Sequence, residues 1–288
     1  MSAGRFAPSP SGDLHLGNLR TAILAWLFAR STDRGFLVRV EDLDRQRSHP
    51  RFEQTQLGDL AAMGLDWDGP VVRQCERDGL YAEALARLTR AGLTFECFCS
   101  RREIAEAVRA PHAPPGSYPG TCRDLSDAER AARRAERDPA VRLRAEVREW
   151  AVTDLLHGEV TGHVDDLVLR RGDGAHAYNL AVVVDDAAQS VDQVVRGDDL
   201  LTAAPGQAYL AAALGHPQPT YAHVPLAINP QGRRLAKRDG AVTLRDLSPA
   251  NAWELIGASL GVTARTPADL LAELDPLSIA LEPWIVAA

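Results

Sequence analysis

Residues 5–18 read Arg5-Phe6-Ala7-Pro8-Ser9-Pro10-Ser11-Gly12-Asp13-Leu14-His15-Leu16-Gly17-Asn18. The run Pro8-Ser9-Pro10-Ser11-Gly12 is a turn-rich loop, because proline fixes φ and glycine opens conformations closed to other residues. Residues 4–8 lead into it as a strand. From Gly17 to Arg30, Leu19, Ile23, Leu24, Leu27 and Phe28 recur at helical spacing. Phe36–Val40 is a second strand that ends in Glu41-Asp42-Leu43-Asp44, and helical patterns follow at about 52–63 and 78–91. The first ninety residues therefore read βαβα. That alternation predicts an α/β fold with a parallel sheet and a ligand at the carboxyl ends of its strands, where a helix N-terminus faces a phosphate. The loop 8–17 lies at such an end, with His15 and Gly17 at the start of the helix.

Farther along, the alternation breaks between Phe95 and about Glu146 into a cysteine segment, a Pro-rich stretch at 111–119 and an Ala/Arg/Glu helix near 126–137. This reads as an insertion into the sheet. Strand-like segments follow at 140–146 and 166–171, then at Leu180–Val184 and Val191–Val195. The chain is helical from Asp199 to Leu214 and extended over Tyr221–Ile228, after which Asn229-Pro230-Gln231-Gly232 opens a loop carrying Arg233, Arg234, Lys237 and Arg238. Helical patterns return near 249–260 and 267–275. The resulting division is 1–94 and 166–245 for two halves of one domain, 95–165 for the insertion and 246–288 for a short helical end.

The composition is that of a globular chain: 288 residues, 45% hydrophobic, 25% charged, formal net charge −7. Its longest apolar stretches fall far short of the roughly 20 residues of a membrane span. Met1-Ser2-Ala3-Gly4-Arg5 runs into the Pro-rich turn without an apolar segment, so a cytoplasmic location is expected. The acidic balance argues against a nucleic-acid-binding surface spread over the whole molecule and leaves room for a local basic patch. Of 32 basic residues only Lys237 is a lysine. Its survival marks a place that needs a compact, flexible ammonium rather than a planar fork.

Of four cysteines, Cys97, Cys99 and Cys122 cluster in one short segment, with Cys75 apart. In a reducing compartment such clustering favours zinc over a disulfide. A structural zinc site takes four ligands, so a fourth must come from Tyr118, His112 or a nearby acid, and spacing does not choose among them.

The element from Arg5 to Gly17 resembles the first signature of class I aminoacyl-tRNA synthetases, the "HIGH" motif, in the glutamyl and glutaminyl branch. Four further segments agree in order. Val38-Arg39-Val40-Glu41-Asp42-Leu43-Asp44 resembles the branch's acidic strand end, and Tyr178–Asp186 its substrate-binding strand. Val195-Arg196-Gly197-Asp198-Asp199-Leu200 continues that match, and Arg234-Leu235-Ala236-Lys237-Arg238 resembles the "KMSKS" loop with the lone lysine at the catalytic position. The resemblance covers about residues 4–245. Asn18 stands where the motif has a second histidine, and Arg234 and Ala236 stand for a lysine and a serine of the loop.

What the resemblance implies is a class I synthetase, Rossmann-like catalytic domain with a zinc-bearing insertion. Glutamyl-tRNA synthetases continue into a helical anticodon-binding domain that the fifty residues after the loop do not supply. With Cys97, Cys99, Tyr118 and Cys122 as zinc ligands, the chain resembles the short branch of the family that joins glutamate to the queuosine base at the wobble position of tRNA(Asp). The implied partners are ATP with magnesium, L-glutamate and that tRNA, acted on by a monomer. The implied catalytic residues are His15 and Lys237, and the ATP ligands are His15, Gly17, Asn18, Lys237 and Arg238. Glutamate falls to Arg5, Phe6, Ala7, Pro8, Ser9, Glu41, Tyr178 and Arg196. Arg5 suits the side-chain carboxylate, because a guanidinium fork matches it at two points. The rival expectations are charging of the 3′ end of tRNA(Glu) and a non-catalytic zinc-containing RNA-binding module. His163, His176 and His223 belong to no motif and are expected to be structural or exposed.

Overall fold

The computed structural model describes residues 2–107, 117–233, 235 and 242–286. Lys237, Arg238, Arg234, Ala236 and His112 lie outside the described residues. The first elements are β1 (Ala3–Phe6), α1 (Leu16–Arg30), β2 (Gly35–Val40), α2 (Pro50–Ala62), β3 (Val72–Arg73) and α3 (Asp78–Arg90). They match the βαβα reading. The insertion contributes β4 (Thr94–Cys97), α4 (Arg101–Ala107), α5 (Asp127–Arg134) and β5 (Ala140–Leu143), followed by β6 (Glu149–Asp154), β7 (Gly158–His163) and β8 (Val168–Arg170). Then come α6 (Tyr178–Ala188), β9 (Val191–Gly197), α7 (Ala204–Ala213), β10 (Thr220–Val224) and β11 (Ala227–Ile228). The chain closes with α8 (Pro249–Leu260), α9 (Pro267–Glu273) and β12 (Trp284–Ile285).

A seven-stranded sheet runs in the order β3-β2-β1-β9-β10-β6-β7, parallel except at the β6–β7 hairpin. That hairpin falls within the stretch 95–165 read as insertion, yet its hydrogen bonds belong to the main sheet. The insertion proper builds a separate antiparallel sheet, β4-β5-β8. Order reverses between β1 and β9, which places a crevice at their carboxyl ends.

One element differs in kind from its reading. Tyr178–Ala188, expected as a strand around Leu180–Val184, is the helix α6. Leu180 through Asp186 are all buried, so no polar face marks a 3.6-residue period, and the Val182-Val183-Val184 run imitates a strand. The β-branched residues lower helix propensity by only a few tenths of a kcal/mol each. Packing beside α3 and α7 outweighs that, and the strand is β9, directly after.

The main core surrounds α1, of whose residues Leu16, Leu19, Ile23, Leu24 and Leu27 are wholly buried, and Trp253, Ile256 and Leu270 of the closing helices pack on it. Inside the sheet, charge is buried as well. Asp186 of α6 binds Arg5 Nε of β1 at 3.2 Å and Arg39 Nη1 of β2 at 2.7 Å. Its neighbour Asp185 accepts from Gln74 Nε2 (2.9 Å), Arg77 Nε (2.6 Å) and Tyr81 Oη (2.8 Å), and lies 3.7 Å from Arg39 Nε. Burial by itself would lower the Arg39 pKa, but Asp186, Glu41 and Asp185 raise it above the ordinary arginine value. Burial likewise works against the Asp186 carboxylate, and Arg39 and Arg5 more than offset it, so its pKa falls.

Replacing Arg39 leaves three carboxylates facing low-dielectric surroundings short of a cation. Arg39→Leu is expected to cost about 3–5 kcal/mol, read as a drop in the urea midpoint. Arg34→Leu removes a half-exposed pair with Asp192 and is expected to cost no more than about 1 kcal/mol. Equal effects would refute the special weight given to the buried network.

Candidate active site

A cleft of about 630 Å³ opens at the carboxyl ends of β1, β2 and β9. Arg5, Phe6, Ala7, Pro8 and Ser9 line it from the first loop, His15 and Asn18 from the start of α1, Glu41 from the end of β2, and Tyr178 and Arg196 from α6 and β9. The residues expected to bind glutamate thus meet in one place, with two of the expected ATP ligands beside them. Arg47 and Thr21, not singled out by any motif, line the same cleft, as does Leu200.

The loop is held from outside. Glu41 N donates to Pro8 O (2.9 Å) and His49 N to Pro10 O (3.0 Å). Gln56 Nε2, from the buried face of α2, donates to Ser9 O (3.0 Å) and Gly12 O (2.6 Å). Proline-rich backbone lacks its own donors, so neighbouring elements satisfy its carbonyls and fix its path.

His15 is the N-cap of α1. Its Nδ1 accepts from Asn18 N, and Asn18 Oδ1 accepts from His15 N, both at 3.2 Å. This is a capping box made with unusual residues. It accounts for Asn18 in place of a histidine, since a short amide reaches back to the cap. It also assigns the tautomer: with Nδ1 as acceptor, a neutral His15 carries its proton on Nε2, as a donor. Gly17 follows from packing. A Cβ there would sit 2.8 Å from Ala227 Cβ and 3.1 Å from the His15 ring, so the glycine keeps β11 and the imidazole in place.

The described ends of the "KMSKS"-like loop are tied to the same corner. Leu16 N donates to Val242 O at 3.0 Å and Leu235 N to Ala227 O at 3.3 Å. Leu235 lines the cleft.

The two site arginines are neutralised differently. Arg5, 4% exposed, is paired with Asp186 and donates from Nη1 to Val195 O at 3.3 Å. Arg196, 6% exposed, donates from Nε to His223 Nε2 (3.0 Å), from Nη1 to Gln207 Oε1 (2.7 Å) and from Nη2 to Leu200 O (3.3 Å). All three acceptors are uncharged groups. Among the described residues no carboxylate pairs with Arg196, and burial lowers its pKa. A buried cation without a counterion, facing a cleft, is a receptor for an anion. Glu41, at the end of β2, lines the same cleft, and burial raises its pKa against the pull of Arg39 and Arg5. Tyr178, half-exposed, lines the cleft as well, with its hydroxyl pKa raised by burial and by Glu41.

In the insertion, the thiols of Cys97, Cys99 and Cys122 lie within 4.8 Å of one another, with no His, Asp or Glu joining them among the described residues. Cys99 Sγ is 3.5 Å from Cys122 Sγ, and Tyr118 Oη lies 3.4 Å from Cys97 Sγ and 4.0 Å from Cys99 Sγ. Zinc bonded to thiolates at about 2.3 Å in a tetrahedron separates its sulfurs by similar distances, so these residues fit such an ion. Burial pushes the Cys99 thiol up to about 12, which a bound cation would reverse. Phe98 N, 3.5 Å from Cys122 Sγ, and the Arg142 guanidinium, 3.9 Å from the Tyr118 ring centre, favour negative charge there. A second hollow, about 550 Å³, is lined by Ser9, Glu41 and Tyr178, which also line the cleft, and by Cys97 and Cys99 of the cysteine cluster.

Comparison with known proteins agrees with this fold. The family model of the class I tRNA synthetase (E and Q) catalytic domain matches residues 3–254. A glutamyl-Q tRNA(Asp) synthetase of Nocardia farcinica is 64% identical over 99% of this chain and 93% of its own length. One from Cutibacterium acnes is 57% identical over 85% of this chain and 71% of its own. The chain belongs to the class I E and Q synthetase family, on the branch of these glutamyl-Q tRNA(Asp) synthetases. Among solved structures, the glutamate-tRNA synthetase of Elizabethkingia anophelis superposes with a TM-score of 0.83 at 25% identity, covering all of this chain and 68% of that one. A glutamate tRNA ligase of Elizabethkingia meningosepticum shares the fold with a TM-score of 0.82, the match covering 66% of its chain.

Gly17→Ala is expected to displace the His15 ring and slow ATP–pyrophosphate exchange by about 10–100-fold while the protein stays folded. Exchange at the wild-type rate would mean that the contacts of Gly17 do not place His15.

Proposed function

We propose that the protein activates L-glutamate with ATP and magnesium to glutamyl-adenylate and transfers the glutamyl group to the queuosine base at the wobble position of tRNA(Asp), as a cytoplasmic monomer. The observation that carries the amino-acid half is the buried Arg196, without a counterion among the described residues, beside Arg5, with Glu41 lining the same cleft. Arg196 suits the side-chain carboxylate, Arg5 adds hydrogen-bond donors whose charge Asp186 already balances, and the Glu41 carboxylate suits the α-ammonium, which is the charge pattern of glutamate. The names of the relatives support the acceptor.

In activation, an oxygen of the glutamate α-carboxylate bonds to the α-phosphorus of ATP and pyrophosphate leaves. The step needs stabilisation of charge more than proton transfer. His15, as the Nε2–H tautomer, donates to the phosphates, and Arg47 at the cleft mouth adds positive charge. Lys237 and Arg238, outside the described residues, would bring positive charge to the same phosphates; of the described residues flanking them, Leu235 bonds to Ala227 and Val242 to Leu16. In transfer, a hydroxyl on the base attacks the adenylate carbonyl and AMP leaves. The hollow between Glu41 and the cysteine cluster offers the base a path, and the arginine-rich segment 126–148 offers the RNA backbone its contacts.

Zinc, held by Cys97, Cys99, Tyr118 and Cys122, would stabilise the fold of the insertion. Four protein ligands leave it no open position, so its part is structural. Protein purified without added metal should carry about one zinc per chain by elemental analysis; none would remove the ion from the proposal. Tyr118→Phe should weaken zinc retention against a chelator by about 10–100-fold.

Radiolabelled glutamate offered with ATP and magnesium should label tRNA from queuosine-replete cells and leave queuosine-deficient tRNA unlabelled. Equal labelling of both would indicate charging of the 3′ end, and no labelling of either a non-catalytic module. Lys237→Ala should lower adenylate formation at least about tenfold.

A further inference from the structure

Arg196 is fixed from behind by a chain of buried groups that no motif announces. β9 and β10 pair in register with His223 beside Arg196, and β6 lies on the other side of β10. Asp154 Oδ2 accepts from His223 N at 3.1 Å and lies 2.6 Å from His223 Nδ1. Its other oxygen accepts from Leu156 N (2.9 Å) and His157 N (3.0 Å). A carboxylate surrounded by donors is the charged acceptor of this set, so Nδ1 of His223 carries the proton. A neutral imidazole donates from one nitrogen and accepts at the other. Nε2 is then free to accept from Arg196 Nε–H at 3.0 Å, a bond the other tautomer cannot make. The side chains of His223 and Asp154 are both fully buried, so no water replaces either partner. Gln207 completes the frame: its Oε1 accepts from Arg196 while its Nε2 donates to Asn179 Oδ1 at 2.9 Å.

We propose that His223, oriented by Asp154, is a positioning residue for Arg196 that acts only as the neutral imidazole, so that its protonation unseats Arg196 and weakens glutamate binding toward acid pH. The proposal rests on Arg196 being a glutamate ligand. An imidazolium has no acceptor and would place two cations 3.0 Å apart inside the protein. The groups facing His223 are Arg196 from β9, Asp154 from β6, and His157 from the turn after β6, whose Nε2 lies 3.0 Å from the His223 carbonyl oxygen. Tyr221 of the same strand stacks on it with ring centres 5.7 Å apart and stays neutral, its pKa pushed up to about 12 by burial. Burial, joined by Arg196, holds His223 below the ordinary histidine value against the opposing pull of Asp154. The neutral form therefore prevails at pH 7, and the acid form appears at lower pH than for an ordinary histidine. Glu41, inside the cleft, is a second group able to respond to acid, so the substitution at position 223 has to separate the two.

The test is calorimetric titration of the full chain with L-glutamate between pH 5 and 8. Wild type should lose affinity toward acid, and at the acid end glutamate binding should release protons, because the competent form is the deprotonated one. His223→Gln places an amide oxygen near the Nε2 position and cannot titrate. It should bind glutamate within about threefold of wild type at pH 7.5 and lose the His223-linked acid dependence. His223→Leu removes the acceptor and should weaken glutamate at least about tenfold, with ATP affinity unchanged. Full acid dependence in His223→Gln, or wild-type affinity in His223→Leu, would overturn the proposal. If His223→Leu fails to fold, the pH profile of His223→Gln decides alone. Arg196→Ala separates the layers: weakened glutamate binding there with no effect at His223 sinks only the positioning role, whereas wild-type binding in Arg196→Ala sinks the glutamate reading and this proposal together.

Discussion

The carboxylate of Asp186 holds two guanidiniums from adjacent strands, Arg5 on β1 and Arg39 on β2, against one helix. In a low-dielectric interior an unpaired charge costs far more than a paired one returns, so such a network serves less to raise stability than to exclude alternatives. Slipping β1 or β2 by one residue would turn its arginine away from α6 and strand the Asp186 and Asp185 carboxylates. The register of the sheet, the seating of α6 and the place of Arg5 in the cleft are therefore one constraint. Asp185 extends it to α3 and the 3-10 turn at Gln74–Glu76 through Tyr81, Arg77 and Gln74.

Against this background the treatment of Arg196 stands out. The fold gives Arg5 a buried carboxylate and, among the described residues, gives Arg196 only neutral acceptors, although both are buried. A counterion at Arg196 would have to be displaced before a carboxylate ligand could bind, whereas imidazole, amide and carbonyl orient the guanidinium and leave its charge for the ligand. Orientation and neutralisation are thus assigned to different residues. A comparable orienting contact stands at the start of α1, where Asn18 N–H holds His15 through Nδ1.

The insertion follows a related logic with another chemistry. Its small antiparallel sheet and short helices bury few large apolar side chains, chiefly Phe95 and Phe98 around the cysteine cluster. A unit of that size gains rigidity from a bound ion more readily than from added core. The second hollow is lined both by residues of this cluster and by Glu41 and Tyr178, so the insertion borders the space beside the cleft.

The sequence by itself determined the βαβ entry, the loop-to-helix corner at His15 and the acidic end at Glu41, because these depend on local residues: proline and glycine in turns, apolar spacing in helices, charge at a strand end. It also marked Arg5, Tyr178 and Arg196, through motif order. What tertiary structure decided is whatever depends on burial from several directions. The segment Leu180–Val184 reads as a strand and folds as a helix, because a helix wrapped on every side loses its period. His223 belongs to no motif and is structural, as its isolation suggests, yet it is the group that aims Arg196. Arg39, Gln56, Gln207 and Asp154 carry no local signal of function either. Their roles arise from contacts between residues far apart in the chain, such as the 69 positions between Asp154 and His223, and only the packed sheet brings those side chains within a hydrogen bond of each other.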